Sequence, residues 1–141
     1  MELTIETNVG VGPIKFGMSR AETRSLFQTV PETFRRSDED ASDVDEYADL
    51  GIYIEFDAND HCIAVEMFDP ADPVFQEKHL LRIPFASVRE WVERVDPALE
   101  KDEAGIYSNL LGIGVSADIP KRDKKSLAES VIAFVSGYYE G

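Results

Sequence analysis

A short pattern occurs twice in the chain, and it narrows the folds open to it. Ser19 and Glu22 are followed by Leu50-Gly51-Ile52, then Asp57, then Ile63-Ala64. Ser87 and Glu90 are followed by Leu111-Gly112-Ile113, then Asp118, then Ile132-Ala133, with Leu-Gly-Ile and its Asp at the same spacing in both copies. Ser-x-x-Glu is the capping-box signature of a helix start. The segment after each Leu-Gly-Ile alternates apolar and polar residues, as a strand does. Each half reads as a helix followed by a β-hairpin, and neither half has enough core alone. The expected fold class is α+β: two helix-plus-β-hairpin units forming one antiparallel sheet, with the helices packed on one face. The 141 residues suit a single domain over 1–141, and the echo is compatible with an internal repeat of 14–68 and 82–139.

Other segments fill in this frame. Leu3 to Glu6 alternates and predicts a first strand. A helix is expected over 19–28, with Pro31 barring its continuation. Thr33 to Arg36 suits a short strand. Ser37 to Asp49 carries seven acidic residues and reads as a solvated loop. Asp57-Ala58-Asn59-Asp60 is turn chemistry between two strands of a 50–68 hairpin. Residues 74–83 read as extended. A second helix opens at Ser87, with Val88, Trp91, Val92 and Val95 at helical spacing and Pro97 beyond them. Leu111 to Ala117 and Ser130 to Tyr138 read as paired strands joined through the basic loop Lys121 to Lys125.

Charge excludes whole classes of partner. Fourteen Lys and Arg face 28 Asp and Glu, for a net charge of −14. Such a field repels phosphate backbones and anionic lipid, so no nucleic-acid or membrane partner is expected, and a cationic protein is favoured. The basic run Lys121-Arg122-Asp123-Lys124-Lys125 has no aromatic to stack on bases. No apolar run approaches the ~20 residues of a membrane helix. The opening Met-Glu-Leu-Thr-Ile-Glu lacks the basic and apolar regions of a signal peptide, and Cys62 is the sole cysteine. Together these predict a cytoplasmic protein.

The search for chemistry returns no catalytic residue, cofactor or metal. His61 and Cys62 are neighbours, which a strand would point to opposite faces. One Cys and two His at positions 61 and 79 give no zinc spacing. Asp38-Glu39-Asp40-Ala41-Ser42-Asp43 begins like a calcium loop, but Asp43 and Asp49 stand where that loop needs Gly and Glu. Gly10, Gly12 and Gly17 form no phosphate cradle.

Gly12-Pro13-Ile14-Lys15-Phe16-Gly17-Met18-Ser19, followed by a helix, resembles the Gly-Met-Ser/Thr helix opening of the beta-lactamase-inhibitor-protein-like folds. The early Gly-Met-Ser helix and the Gly137-Tyr138-Tyr139 end also resemble a broad set of small bacterial proteins, some of them acidic immunity partners of toxins. That resemblance implies a repeated helix-then-sheet unit and a non-enzymatic role: occluding a basic toxin. Acidic residues would steer the cationic partner and aromatic anchors would hold it. The residues assigned to partner contact are Asp38, Glu39, Asp40, Asp43, Asp45, Glu46, Tyr47 and Tyr139. Two alternatives stand beside this reading: a small-ligand binder or enzyme whose site is assembled only in three dimensions, and a subunit of a larger assembly.

Overall fold

The computed structural model describes residues 1–34, 44–117 and 125–138, and in it alternating side chains produce far more strand than helix. Three short strands open the chain: Leu3–Glu6 (β1), Gly10–Val11 (β2) and Ile14–Lys15 (β3). Helix Arg20–Arg24 (α1) leads to Glu32–Phe34 (β4), Val44–Tyr47 (β5), a 3-10 turn at Ala48–Leu50, Ile52–Phe56 (β6) and Cys62–Phe68 (β7). Pro73–Phe75 (β8) and Lys78–His79 (β9) precede helix Phe85–Val95 (α2). Glu100–Lys101 (β10), Gly105–Ser108 (β11), Ile113–Ser116 (β12) and Ser130–Phe134 (β13) follow.

Five strands form one sheet, in the order β3-β2-β1-β8-β9, with β1 and β8 parallel. Eight form a second, antiparallel sheet in the order β10-β11-β12-β13-β7-β6-β5-β4. This overturns the α+β expectation of two helix-plus-β-hairpin units forming one antiparallel sheet with helices on one face. The protein is mostly β, built on two sheets, with two helices among the described residues. The reason is local. In the large sheet four strands follow each helix rather than two, and the extra ones are short: Glu32–Phe34, Val44–Tyr47, Glu100–Lys101 and Gly105–Ser108. They lack the apolar alternation that made the 50–68 hairpin legible.

The helices are also less than the sequence suggested. Ser19 does cap α1, accepting from the Glu22 amide while the Glu22 carboxylate accepts from the Ser19 amide. The helix nevertheless ends at Arg24 instead of Gln28. Tight bonds from the Leu26 amide to the Thr23 carbonyl and from the Phe27 amide to the Arg24 carbonyl close it. Its only buried residue is Thr23, so it brings no apolar stripe to the core. α2 begins before the expected Ser87 cap: the Ser87 and Val88 amides already donate to the Pro84 carbonyl. Phe85, Val88 and Val92 are buried on α2, Trp91 is half-buried, and Val95 is exposed.

A single hydrophobic cluster joins both sheets. Ile54, Val65, Met67, Val131 and Ile113 from the inner face of the large sheet pack with Ile5, Val11 and Ile14 of the small one and with Phe85 and Val88 of α2. Among the described residues, no helix is long and apolar enough to cross a membrane.

The two Leu-Gly-Ile segments turn the chain into β6 and β12. Gly51 and Gly112 are both left-handed, at φ 70° and 69°, and their carbonyls accept from the Phe68 and Phe134 amides. A Cβ on Gly112 would stand 3.0 Å from the Phe134 carbonyl oxygen, whereas one on Gly51 would overlap the Phe68 carbonyl oxygen outright. Gly112→Ala is therefore expected to cost about 1–2 kcal/mol for its left-handed backbone. Gly51→Ala carries the same cost and must also shift β7. Urea denaturation of both variants checks this, and equal losses would contradict the difference in clearance.

Candidate functional site

Strand β5 splits the acidic run of the sequence between core and surface. Its alternation turns Asp45 and Tyr47 inward, and Glu46 is half-buried on the other side. Asp45 is fully buried and is held by Arg20 Nη1 at 2.8 Å, Arg24 Nε at 2.8 Å and Thr33 Oγ1 at 3.1 Å. Arg20 also reaches Asp60 at 2.9 Å and lies over the Phe56 ring at 4.2 Å. This cluster ties α1 to β4, β5 and the β6–β7 turn. Asp45 thus belongs to the framework, which corrects its assignment to partner steering. Val44–Tyr47 is likewise strand where 37–49 was expected to be loop. Asp38, Glu39, Asp40, Asp43 and Tyr139 lie outside the described residues.

Burial alone would raise the Asp45 pKa. The hydrogen bond from Arg24 and the charges of Arg20 and Arg24 outweigh it and hold the carboxyl below its ordinary value. A depressed folded-state pKa means stability that is complete above the ordinary value of 3.8 and lost as pH falls below it. Asp45→Asn is expected to cost about 3 kcal/mol at neutral pH, because two guanidinium groups lose their shared carboxylate. It should also flatten the fall of melting temperature between about pH 5 and about pH 2. Thermal denaturation across that range is the measurement, and an unchanged slope would show that Asp45 is not the group being titrated.

Tyr47 stands beside a groove. Its ring stacks on Phe27 with centroids 3.8 Å apart, so the segment after α1 folds down over β5. The groove, about 610 Å³, is lined by Met1, residues 26–30, Glu32 and residues 46–50. Val30, Leu50 and Met1 are exposed in or around it, at 92%, 44% and 60%. Glu32, Glu46 and Asp49 form its charged rim, and none of them has an ion pair among the described residues. Tyr47 is only 4% exposed and its hydroxyl has no hydrogen-bond partner among the described residues. Burial, with the Asp45 charge, pushes its pKa up to about 12, so it is a neutral phenol.

The outer face of the eight-stranded sheet is the second candidate surface. Register places Glu46, Tyr53, Glu66, Ile132, Gly114 and Tyr107 in one row across six strands. None of these six belongs to the hydrophobic cluster. Tyr53 donates to Glu46 at 3.0 Å and packs edge-on against Phe34 and Phe68. Gly114 leaves a notch between Tyr107 and Ile132, part of a hollow of about 310 Å³ that also reaches Glu66, Ser130 and Tyr138.

No protein-family model, curated protein or solved structure matches the chain. The site must therefore be read from its own geometry.

Of the residues singled out from sequence, Glu46 and Tyr47 share the groove, and Glu46 also begins the outer row. Sequence reasoning missed Tyr53, Glu66 and Tyr107. Their signal was available in the hairpins, as the polar or aromatic residues alternating with buried ones. Cys62 is buried, and burial first of all pushes its thiol up to about 12, so it serves as a small core residue. Among the described residues, no three His, Cys, Asp or Glu side chains gather closely enough to hold a metal.

Proposed function

We propose that this is a non-enzymatic acidic binding protein whose outer sheet face captures a cationic protein. In the form suggested by the sequence resemblance, it is an immunity protein that occludes a basic toxin. The supporting observation is the row Glu46–Tyr53–Glu66–Ile132–Gly114–Tyr107. It places aromatic and acidic side chains together on a face that contributes none of them to the core. Tyrosine offers large contact area at low entropic cost, and is enriched where binding energy concentrates. A net charge of −14 draws a cationic partner and raises its rate of encounter. The hollow beside Gly114 gives the face relief, so a protruding basic side chain has somewhere to enter.

The two kinds of residue should separate kinetically. The test is capture from the native host followed by binding kinetics with the recovered protein. Glu46→Gln with Glu66→Gln should slow association severalfold at low salt, and the effect should fade as screening shortens the field to ~8 Å. Tyr107→Ala should leave association nearly unchanged and speed dissociation by about tenfold or more. Recovery of an acidic partner, or unchanged rates in both variants, would refute this reading.

A second reading has its own observation: the groove beside Tyr47 is large enough for a small organic ligand.

A further inference from the structure

The turns at Gly51 and Gly112 align the two halves of the large sheet residue by residue. Ile52 corresponds to Ile113, so Tyr53 and Glu55 correspond to Gly114 and Ser116, and their cross-strand neighbours Glu46 and Val44 correspond to Tyr107 and Gly105. On the outer face of the first half these places are filled. Val44 and Glu55 are buried, and the Tyr53 ring packs edge-on against Phe34 and Phe68. In the second half the same places hold Gly105, Gly114 and Ser116, and the room they leave is the hollow of about 310 Å³. Tyr107, Ile132 and Tyr138 wall it, Glu66 stands on its β7 side and Asp102 on its β11 side, and no Lys or Arg lines it among the described residues. The place that Tyr53 fills in one half is thus open to a side chain from outside in the other. We infer that the hollow seats one arginine side chain, its guanidinium against the Tyr107 ring and directed to Asp102. The inference rests on the reading of this face as the surface that captures a cationic protein, and names the anchor of that partner.

The lining discriminates among side chains. The hollow is at the small end of ligand cavities, so it suits one side chain rather than a larger molecule. A guanidinium is flat, stacks on aromatic rings and carries five N–H donors in a fixed fork, whereas a lysine ammonium is a compact and strongly hydrated charge. The donors have acceptors to meet. Asp102 Oδ1 accepts from the Ala104 and Gly105 amides at 2.7 and 3.0 Å, which fixes the carboxylate, and neither bond uses Oδ2. The Ser116 and Ser130 hydroxyls on the floor bond each other and retain lone pairs. A carboxylate ligand would meet Glu66 and Asp102 with no cation in the lining to offset them. A wholly apolar side chain would desolvate these groups without bonding them. Arginine is also among the residues in which binding energy concentrates at interfaces.

The probes are N-acetyl-arginine methylamide, its lysine counterpart and the neutral citrulline isostere, titrated into the whole chain at physiological ionic strength and followed by two-dimensional amide NMR. The arginine probe should give saturable shifts centred on Gly105, Gly114, Ser116 and Ser130. The lysine probe should bind severalfold more weakly, and citrulline should give no shift there. Asp102→Asn keeps the oxygen that accepts from the Ala104 and Gly105 amides and removes only the charge, so it should weaken the arginine probe severalfold without altering the fold. Gly114→Ala puts a methyl group into the notch, 3.0 Å from Ile132 Cγ2, and should weaken it further. Equal binding of the lysine probe would overturn the arginine seat, as would shifts spread over acidic residues throughout the protein, or no loss in both variants. The two readings fail separately. If a cationic partner is captured as Glu46 and Glu66 require, yet Asp102→Asn leaves its dissociation unchanged, the capture reading stands and the seat falls. If the arginine probe binds as expected and the recovered partner is acidic, the seat stands and the capture reading falls.

Discussion

The antiparallel pairing of β7 with β13 joins segments far apart in sequence, and the remaining geometry depends on it. Five residue pairs run from Phe68↔Ser130 to Ala64↔Phe134, at the centre of the eight-stranded sheet. The pairing puts Val65 beside Ala133 and Met67 beside Val131 on the inner face, while Glu66 and Ile132 share the outer one. A slip of one residue would bury Glu66 and expose Met67, exchanging the faces of the central strands. The burial of Val65, Met67 and Val131, each fully enclosed, therefore fixes the register. The row of acidic and aromatic residues on the outside follows from the core on the inside.

Strand β5 shows how the same alternation overrules a reading by composition. In sequence, Asp45 and Glu46 are adjacent members of one acidic run. In the sheet they face opposite ways and meet different chemistry: Asp45 finds Arg20, Arg24 and Thr33, while Glu46 finds the Tyr53 hydroxyl. A buried carboxylate needs cations close by, since desolvation would otherwise neutralise it. Both cations come from α1, a helix with no apolar stripe. Beside the backbone bond from the Arg20 amide to the Asp60 carbonyl, the attachment of α1 to the sheet is ionic, with Arg20 and Arg24 on one side of a short helix and Asp45 below them.

Legibility in the sequence followed local pattern. The first strand, the 50–68 hairpin and the pairing of 111–117 with 130–138 were readable because each alternates or carries its own turn signal. The Ser19 cap was readable because both partners lie within one turn. Of the extra strands, Glu32–Phe34 was anticipated at Thr33, whereas Glu100–Lys101 is too short and polar to show a period. The parallel contact of β1 with β8 leaves no local trace, because its partners are set by tertiary packing. For the candidate sites, Tyr47 was noticeable as an aromatic in an acidic run, yet its groove is assembled from three separate segments. Asp45 misled for a related reason: its arginines lie in another element, so the run looked uniformly solvated.

The two kinds of bond made by carboxylates have different electrostatic consequences. Arg20 and Arg24 neutralise Asp45, so its charge contributes little to the external field. The phenol of Tyr53 stabilises Glu46 by donating a hydrogen bond but brings no opposing charge. Glu46 is thus held in a defined place, at the meeting point of the outer row and the groove. Mobile surface carboxylates mostly serve solubility, whereas an oriented one gives direction to the field and position to a bound cation. The Tyr–Glu pairing therefore makes this corner of the sheet a preorganised anionic surface.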